Sequence, residues 1–442
     1  MRVDEKVVPP AGRGGRLARF SPSGLSGRMN VARINPVARD GLALVLSSGL
    51  TSAVGLLYWV VAARLFAPET VGVNSVALST MQLLGGIAHL NLTQALLRFG
   101  PVAGRQTRRL MLACYTVASV VAALVGLGYA AGAPRWAPEM VETVGYVPLL
   151  VFFAVATPVW AIFTMQDYLL TALKRATVVP VENLVFALLK MGFLAAAVWL
   201  GYVFGIAVSW LLATVLIVLP VNAWLLLRVI PQLATGAPVE PIRPKAIARF
   251  VRSDYAGATL WQIAMNGLPA LVLARLGAED AAVYGIVWTI TISLYLIPSG
   301  MGQSMIAHTA GDPAQAAAAR RAMVRRSLAR VVPAAVVLSV GAYPVLWLFG
   351  EHYAQQGAWA LALAALSAIP QVITASTVAQ ARVQQRMRVL VLVPGTLAVA
   401  VLVSAWLLMP VLGITGVALA WLVVQTVGAV VLLARERRTR TA

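Results

Sequence analysis

The sequence predicts an all-α polytopic membrane protein, with about twelve transmembrane helices in two parallel-repeat six-helix bundles. Three observations predict it. Of 442 residues, 60% are apolar and only 11% are charged, where a soluble domain carries about a quarter charged. Apolar runs of spanning length follow one another from Leu42 onward. The cationic residues fall on alternate connections between those runs. Mean hydropathy is +0.83. This balance excludes a soluble enzyme, a disordered chain and a fibrous repeat.

The runs lie at about 41–65, 69–92, 109–131, 145–168, 178–200, 203–228, 250–274, 281–305, 328–350, 358–381, 388–409 and 412–434. Each is long enough to cross a hydrocarbon layer of about 30 Å as a helix. A β-barrel would need shorter segments with strict alternation, and these are absent. The resulting organisation is a basic, mostly disordered cytoplasmic tail over 1–39 and a six-helix lobe over 40–230. A linker follows at 231–249, then a second six-helix lobe over 250–434 and a short basic tail over 435–442. The first tail is not a signal peptide, because no short apolar core with a small-residue cleavage site follows it.

Net charge is +20, from 35 Lys and Arg against 15 Asp and Glu. Nucleic-acid binding would explain such an excess. Membrane topology explains it better. With the tail inside, 31 of the 35 cations fall on inside segments, three fall outside (Arg64, Arg135, Arg275), and Lys190 lies within a span. Both termini then face the cytoplasm, and no nucleic-acid partner is expected. The single cysteine, Cys114, can form no internal disulfide.

The chain repeats itself. Ala63-Arg64-Leu65-Phe66-Ala67-Pro68-Glu69 returns as Ala274-Arg275-Leu276-Gly277-Ala278-Glu279-Asp280, an offset of 211, and the same offset carries Arg175 to Arg386. Six spans bring the chain back to its starting side, so the copies have parallel orientation. Two such bundles that rock against each other give alternating access. Pro158, Pro220, Pro269, Pro298, Pro344 and Pro370 fall within spans and allow kinks.

No P-loop and no His-Glu-x-x-His spacing occurs. No cofactor or metal is expected, and no outer loop is large enough for a catalytic domain. The informative residues are polar ones at membrane depth, where an ionisable group costs about 2.5–3.5 kcal/mol. Lys190 is the deepest. Asn183 shares its helix face. Glu182 lies two turns away at about 80° and cannot pair with it. Lys190 therefore requires a partner on another helix, water or an anionic substrate. Span seven carries Asp254, then Gln262 and Asn266 one turn apart, a polar strip that lines a cavity or stitches helices. His89, Asn91 and Arg98 sit toward the inner end of span two. Arg64 and Arg275 hold equivalent outer ends, where they either snorkel or form a cationic pair for a pyrophosphate.

Four segments resemble a known family. They are Ala63-Arg64-Leu65-Phe66-Ala67-Pro68-Glu69-Thr70-Val71-Gly72; Ala274-Arg275-Leu276-Gly277-Ala278 with Val283-Tyr284-Gly285; Leu348-Phe349-Gly350-Glu351-His352-Tyr353-Ala354; and Pro410-Val411-Leu412-Gly413-Ile414-Thr415-Gly416-Val417-Ala418-Leu419-Ala420. Their order and spacing over residues 40–434 resemble the polysaccharide/oligosaccharide (Wzx-type) flippases of the multidrug/oligosaccharidyl-lipid/polysaccharide exporter superfamily. The resemblance implies transport of a polyprenyl-pyrophosphate-linked oligosaccharide across a bacterial cytoplasmic membrane in polysaccharide biosynthesis. H⁺ or Na⁺ would drive it, with membrane lipid and the polysaccharide polymerase and glycosyltransferases as partners. On that reading Lys190, Asn183, Arg98, Arg64, Arg275, Gln262 and Asn266 are candidate substrate residues, and Asp254 and Glu182 are candidates for the coupling ion. A cation-coupled multidrug exporter of the same superfamily is the alternative. A membrane-embedded polysaccharide polymerase is disfavoured by the short loops and the repeat.

Overall fold

In the computed structural model, residues 54–233, 244–309, 316–384 and 386–441 are described. They belong to one compact unit, Leu44–Ala442. The helices, in chain order, are α1 (Val54–Leu65), α2 (Pro68–Ala88), α3 (Leu92–Phe99), α4 (Thr107–Trp136), α5 (Pro138–Val144), α6 (Tyr146–Ala172), α7 (Val178–Trp199) and α8 (Gly205–Trp224). A π turn extends α8 over Leu225–Val229, and α9 (Ile230–Leu233) follows. The second half holds α10 (Pro244–Leu276), α11 (Ala278–Thr309), α12 (Ala316–Val340), α13 (Ala342–Trp347), α14 (Glu351–Val383) and α15 (Met387–Thr441). Gly413, with φ of 56°, splits α15 into two limbs. The tail expected over 1–39 lies outside the described residues.

The spanning segments are α1, α2, α4, α6, α7 and α8, then α10, α11, α12, α14 and the two limbs of α15, six in each half. Eight helices among the described residues are long and apolar enough to cross a membrane, counting α15 once. The others are α1, described only from Val54, and α10 and α12, whose N-terminal turns carry Lys or Arg. Polar chemistry sets the helix starts. Pro68 opens α2 with its φ already helical, and Glu69 meets the positive helix end. Glu279 and Asp280 do the same for α11, after Gly277 turns the chain at φ 91°.

Burial ranks the helices. The most apolar stretches of α2 and α11 are 72% and 67% buried, whereas those of α7 and α8 are 33% and 28% buried. The former are central and the latter face lipid on most of their circumference. Gly72 of α2 packs directly on the Ala278 carbonyl, where any side chain would collide. Toward the opposite end of α2, the Tyr255 hydroxyl of α10 donates to the Ile87 carbonyl at 2.9 Å. The two halves thus meet along the length of α2.

The 211-residue repeat is visible in backbone contacts. Gly205 opens α8 against Ala197, and Gly416 sits against Leu408, the same pair displaced by 211. Both places lack room for a Cβ. Two spans break where continuous helix was expected. The second is interrupted at His89–Asn91, with Leu90 and Asn91 at positive φ and His89 Nδ1 accepting from the Asn91 N–H. The ninth is interrupted at Gly341, which separates α12 from α13. Helix α12 also begins twelve residues earlier than the apolar run at Leu328, because its first turns hold arginines that apolar content does not report.

Candidate functional site

Three polar assemblies stand inside this apolar frame. The first surrounds Lys190, which is 5% exposed. Its Nζ lies 4.4 Å from the Trp210 ring centroid, 4.7 Å from Tyr58 and 5.2 Å from Phe186. Three helices supply this cage: Tyr58 from α1, Phe186 from α7 itself, and Trp210 from α8. Tyr58 is fixed in turn, its hydroxyl lying 2.9 Å from the Ile206 carbonyl and 2.8 Å from Ser209 Oγ. The anticipated partner on another helix is therefore a set of aromatic faces and no carboxylate. The magnitudes agree, since desolvated cation–π contacts of about 1–2 kcal/mol each offset an insertion cost of about 2.5–3.5 kcal/mol.

The second assembly lies in the same half, beside the Lys174–Arg175 turn. Glu182, 4% exposed, accepts from Gln166 Nε2 at 3.1 Å, and Gln166 Oε1 accepts from Asn222 Nδ2. Asn222 also donates to the Val218 carbonyl at 2.8 Å. Asp167, the neighbour of Gln166 on α6, has a buried carboxyl oxygen without a hydrogen-bond partner. Asp167, Gln166 and Asn222 were not anticipated from the sequence. A partial signal existed: Gln166 and Glu182 lie at similar distances from the turn between α6 and α7, and they are hydrogen-bonded across it.

The third is a cavity of about 250 Å³ in the second half, between α10, α11, α14 and α15. Trp261, Pro298, Val378, Pro394 and Leu397 give it apolar walls, Gln371 and Thr374 give it polar groups, and Arg382 is the charged residue among its described lining. Gln371 Oε1 is buried without a hydrogen-bond partner.

The structure does not gather the sequence candidates into one pocket. Arg64 and Arg275 make separate contacts. Arg64 donates to the Leu348 carbonyl at 2.9 Å and the Trp347 carbonyl at 2.6 Å, tying the first half to the second. Arg275 lies 3.4 Å from the Trp406 ring centroid, within its own half. Exposed side chains at helix ends meet the nearest carbonyls and rings, which composition cannot reveal. Arg98, at the end of α3, lies over Phe99. Asn183 is half-buried on α7. Gln262 and Asn266 do form a strip, with Asn266 Nδ2 donating to Gln262 Oε1 at 3.2 Å, and Gln262 lies against Gly86 of α2. The Asp254 side chain lies outside the described residues.

No family model matches the chain, and no curated protein matches it by sequence. Solved structures do match its fold. An inward-facing multidrug resistance MATE family transporter of the MOP superfamily superposes with a TM-score of 0.71 at 16% identity, over 88% of this chain and 94% of that one. The lipid II flippase MurJ, in an inward closed conformation, gives 0.68 at 12% identity, over 90% and 87%. A MOP superfamily transporter from Pyrococcus furiosus, described as having a binding pocket of reverse polarity, gives 0.64 at 16%, over 91% and 96%. The chain is thus a multi-pass membrane protein with the twelve-helix fold that these transporters share.

Proposed function

We propose that the chain is an alternating-access transporter, not an enzyme, that flips polyprenyl-pyrophosphate-linked oligosaccharide across the bacterial cytoplasmic membrane, driven by an ion gradient. Lobes over 40–230 and 250–434 rock about the 231–249 linker, and both termini face the cytoplasm. The observation that carries the reading is the lining of the second-half cavity: among its described residues, Arg382 stands with apolar walls and Gln371 and Thr374, and no carboxylate is among them. An anionic head attached to an apolar tail suits such a lining, because a guanidinium takes phosphate oxygens bidentately. The fold likeness to a lipid II flippase supports it. Lys190 serves on this reading as a fixed positive charge within the first lobe, held by its cage. Gln262 and Asn266 serve as the polar seam on which the lobes move.

The second reading, export of lipophilic drugs, is favoured by Trp261 and the apolar share of the same lining. One experiment separates them. Purified protein in vesicles is offered a fluorescent polyprenyl-diphosphate sugar and, separately, a lipophilic cationic dye. Protein-dependent flipping of the sugar lipid supports the flippase. Transport of the dye with no flipping of the sugar lipid supports the exporter and rejects the flippase.

A further inference from the structure

The deep end of the second-half cavity carries chemistry that a phosphate group does not use. Gln371, Thr374, Val378 and Arg382 all line the cavity and all lie on α14. At about 100° per residue they share one face, and Gln371 and Arg382 stand about 16 Å apart along the helix axis. Arg382 sits at the end of α14, and Gln371 sits well inside it. The lining therefore runs from a cation at the helix end to polar groups at membrane depth.

Those deep groups are buried and incompletely satisfied. Gln371 is 6% exposed, and Gln425 of α15 is fully buried. Thr374 Oγ1 lies 2.9 Å from the Gln371 backbone carbonyl and 3.2 Å from Gln425 Oε1, so one hydroxyl joins both glutamines. Yet Gln371 Oε1 has no hydrogen-bond partner, and neither has Gln425 Nε2. Buried polar atoms are normally paired, so an open carboxamide in a cavity wall points to a ligand. Trp261 forms another part of the wall, with the Trp421 ring perpendicular to it at 5.8 Å between centroids. Helix packing does not by itself demand this polarity. The same backbone places 211 residues earlier hold Trp160 and Phe163, whose rings pack at 5.5 Å.

We propose that Gln371 and Thr374 form a subsite for one neutral, hydroxyl-bearing sugar ring, separate from the Arg382 end that takes the anionic group. Its use in transport rests on the flippase reading; binding of the ring does not. The open Gln371 oxygen accepts from one sugar hydroxyl, and Thr374 Oγ1 accepts from a second. Gln425 is a positioning residue that holds Thr374. Trp261 offers an apolar face to the C–H side of the ring. At about 250 Å³ the cavity lies just under the usual range of ligand pockets, about 300–1,000 Å³, and so takes one ring and not a whole oligosaccharide. An apolar drug would leave the Gln371 oxygen unpaired, so this floor selects against it.

Saturation-transfer difference NMR on the purified full chain, in a detergent without a sugar head group, tests occupancy. The probes are the methyl glycosides of glucose, galactose and N-acetylglucosamine. At least one should take up saturation on its ring protons. Gln371→Leu should bind it about tenfold more weakly, the loss of one hydrogen bond to a buried group. Should Gln371→Leu not fold, Thr374→Val carries the same test. No saturation of any glycoside by wild type, or binding undiminished in the folded variant, overturns the subsite. A second arm compares flipping of a polyprenyl-diphosphate sugar with flipping of the bare polyprenyl diphosphate in vesicles. The ratio of the two rates should fall about tenfold in Gln371→Leu and hold in Arg382→Gln, which acts on the shared anionic group. A ratio unmoved in Gln371→Leu overturns the subsite. Glycoside binding by protein that flips neither lipid leaves the subsite standing and rejects the flippase reading instead.

Discussion

The two halves repeat one another in backbone yet place different chemistry inside it. Trp210 in the first half and Trp421 in the second are related by the 211-residue offset. Trp210 covers an ammonium, with Lys190 Nζ 4.4 Å from its ring centroid. Trp421 covers another ring, with Trp288 stacked at 4.8 Å and Trp261 and Tyr295 edge-on. The position matching Lys190 is Val401, fully buried. One architecture thus houses a caged charge and a buried glutamate on one side, and a neutral aromatic cluster beside a cavity on the other. On our proposal the second half receives the substrate.

Breaking the second cluster has the largest expected effect. Trp421→Ala empties a fully buried site and costs about 3–5 kcal/mol, which a thermal melt in detergent micelles reads as a large fall in Tm. Trp210→Ala costs less, because that ring is only half-buried. Next comes the buried Arg320, 7% exposed, which pairs with Glu436 and donates to Ser376 and Thr377, joining α12, α14 and the end of α15. Arg320→Leu removes this buried three-helix clamp and costs about 3 kcal/mol. The position 211 residues before Arg320 is Arg109, which is exposed, so Arg109→Leu leaves Tm nearly unchanged.

The sharpest test of the asymmetry is a double-mutant cycle. Lys190→Met and Trp210→Ala should couple by about 1–2 kcal/mol, with the methionine partly rescuing the alanine variant. The equivalent Val401→Met should give no such rescue of Trp421→Ala, because no charge is at stake. The smallest effect belongs to Arg64→Ala. Its bonds to the Trp347 and Leu348 carbonyls are exposed and are worth about 1 kcal/mol or less, so a small Tm shift is expected. If Arg64 holds the halves together at this end, accessibility labelling along α13 should rise more than Tm falls.

The layout was legible in the sequence because the hydrocarbon layer demands it: a spanning helix cannot avoid its apolar run, and the repeat cannot hide its glycines. Gly205 and Gly416 stand at equivalent close approaches for that reason. Partnerships were less legible. Lys190 announced itself as an anomaly, but its companions Tyr58 and Trp210 read as ordinary membrane aromatics until the helices are assembled. Glu182 was found and its partner Gln166 was not, because the hydrogen bond across the Lys174–Arg175 turn shows only once α6 and α7 are placed. Arg320 read as one more cytoplasmic cation, since burial at a helix end leaves no mark on composition. Arg64 and Arg275, which the sequence offered either as snorkelling cations or as a pair for a pyrophosphate, make local carbonyl and ring contacts.

The charge of the second-half cavity is tested most directly by reversing it. Sugar-lipid flipping is measured in vesicles with wild type and with Arg382→Gln and Arg382→Glu, alongside a cationic dye. Flipping should fall at least about tenfold with Gln and further with Glu, which corresponds to one charge-assisted contact of about 1.4 kcal/mol or more. Undiminished flipping in Arg382→Glu, or transport of the dye alone by wild type, would contradict an anion-binding cavity.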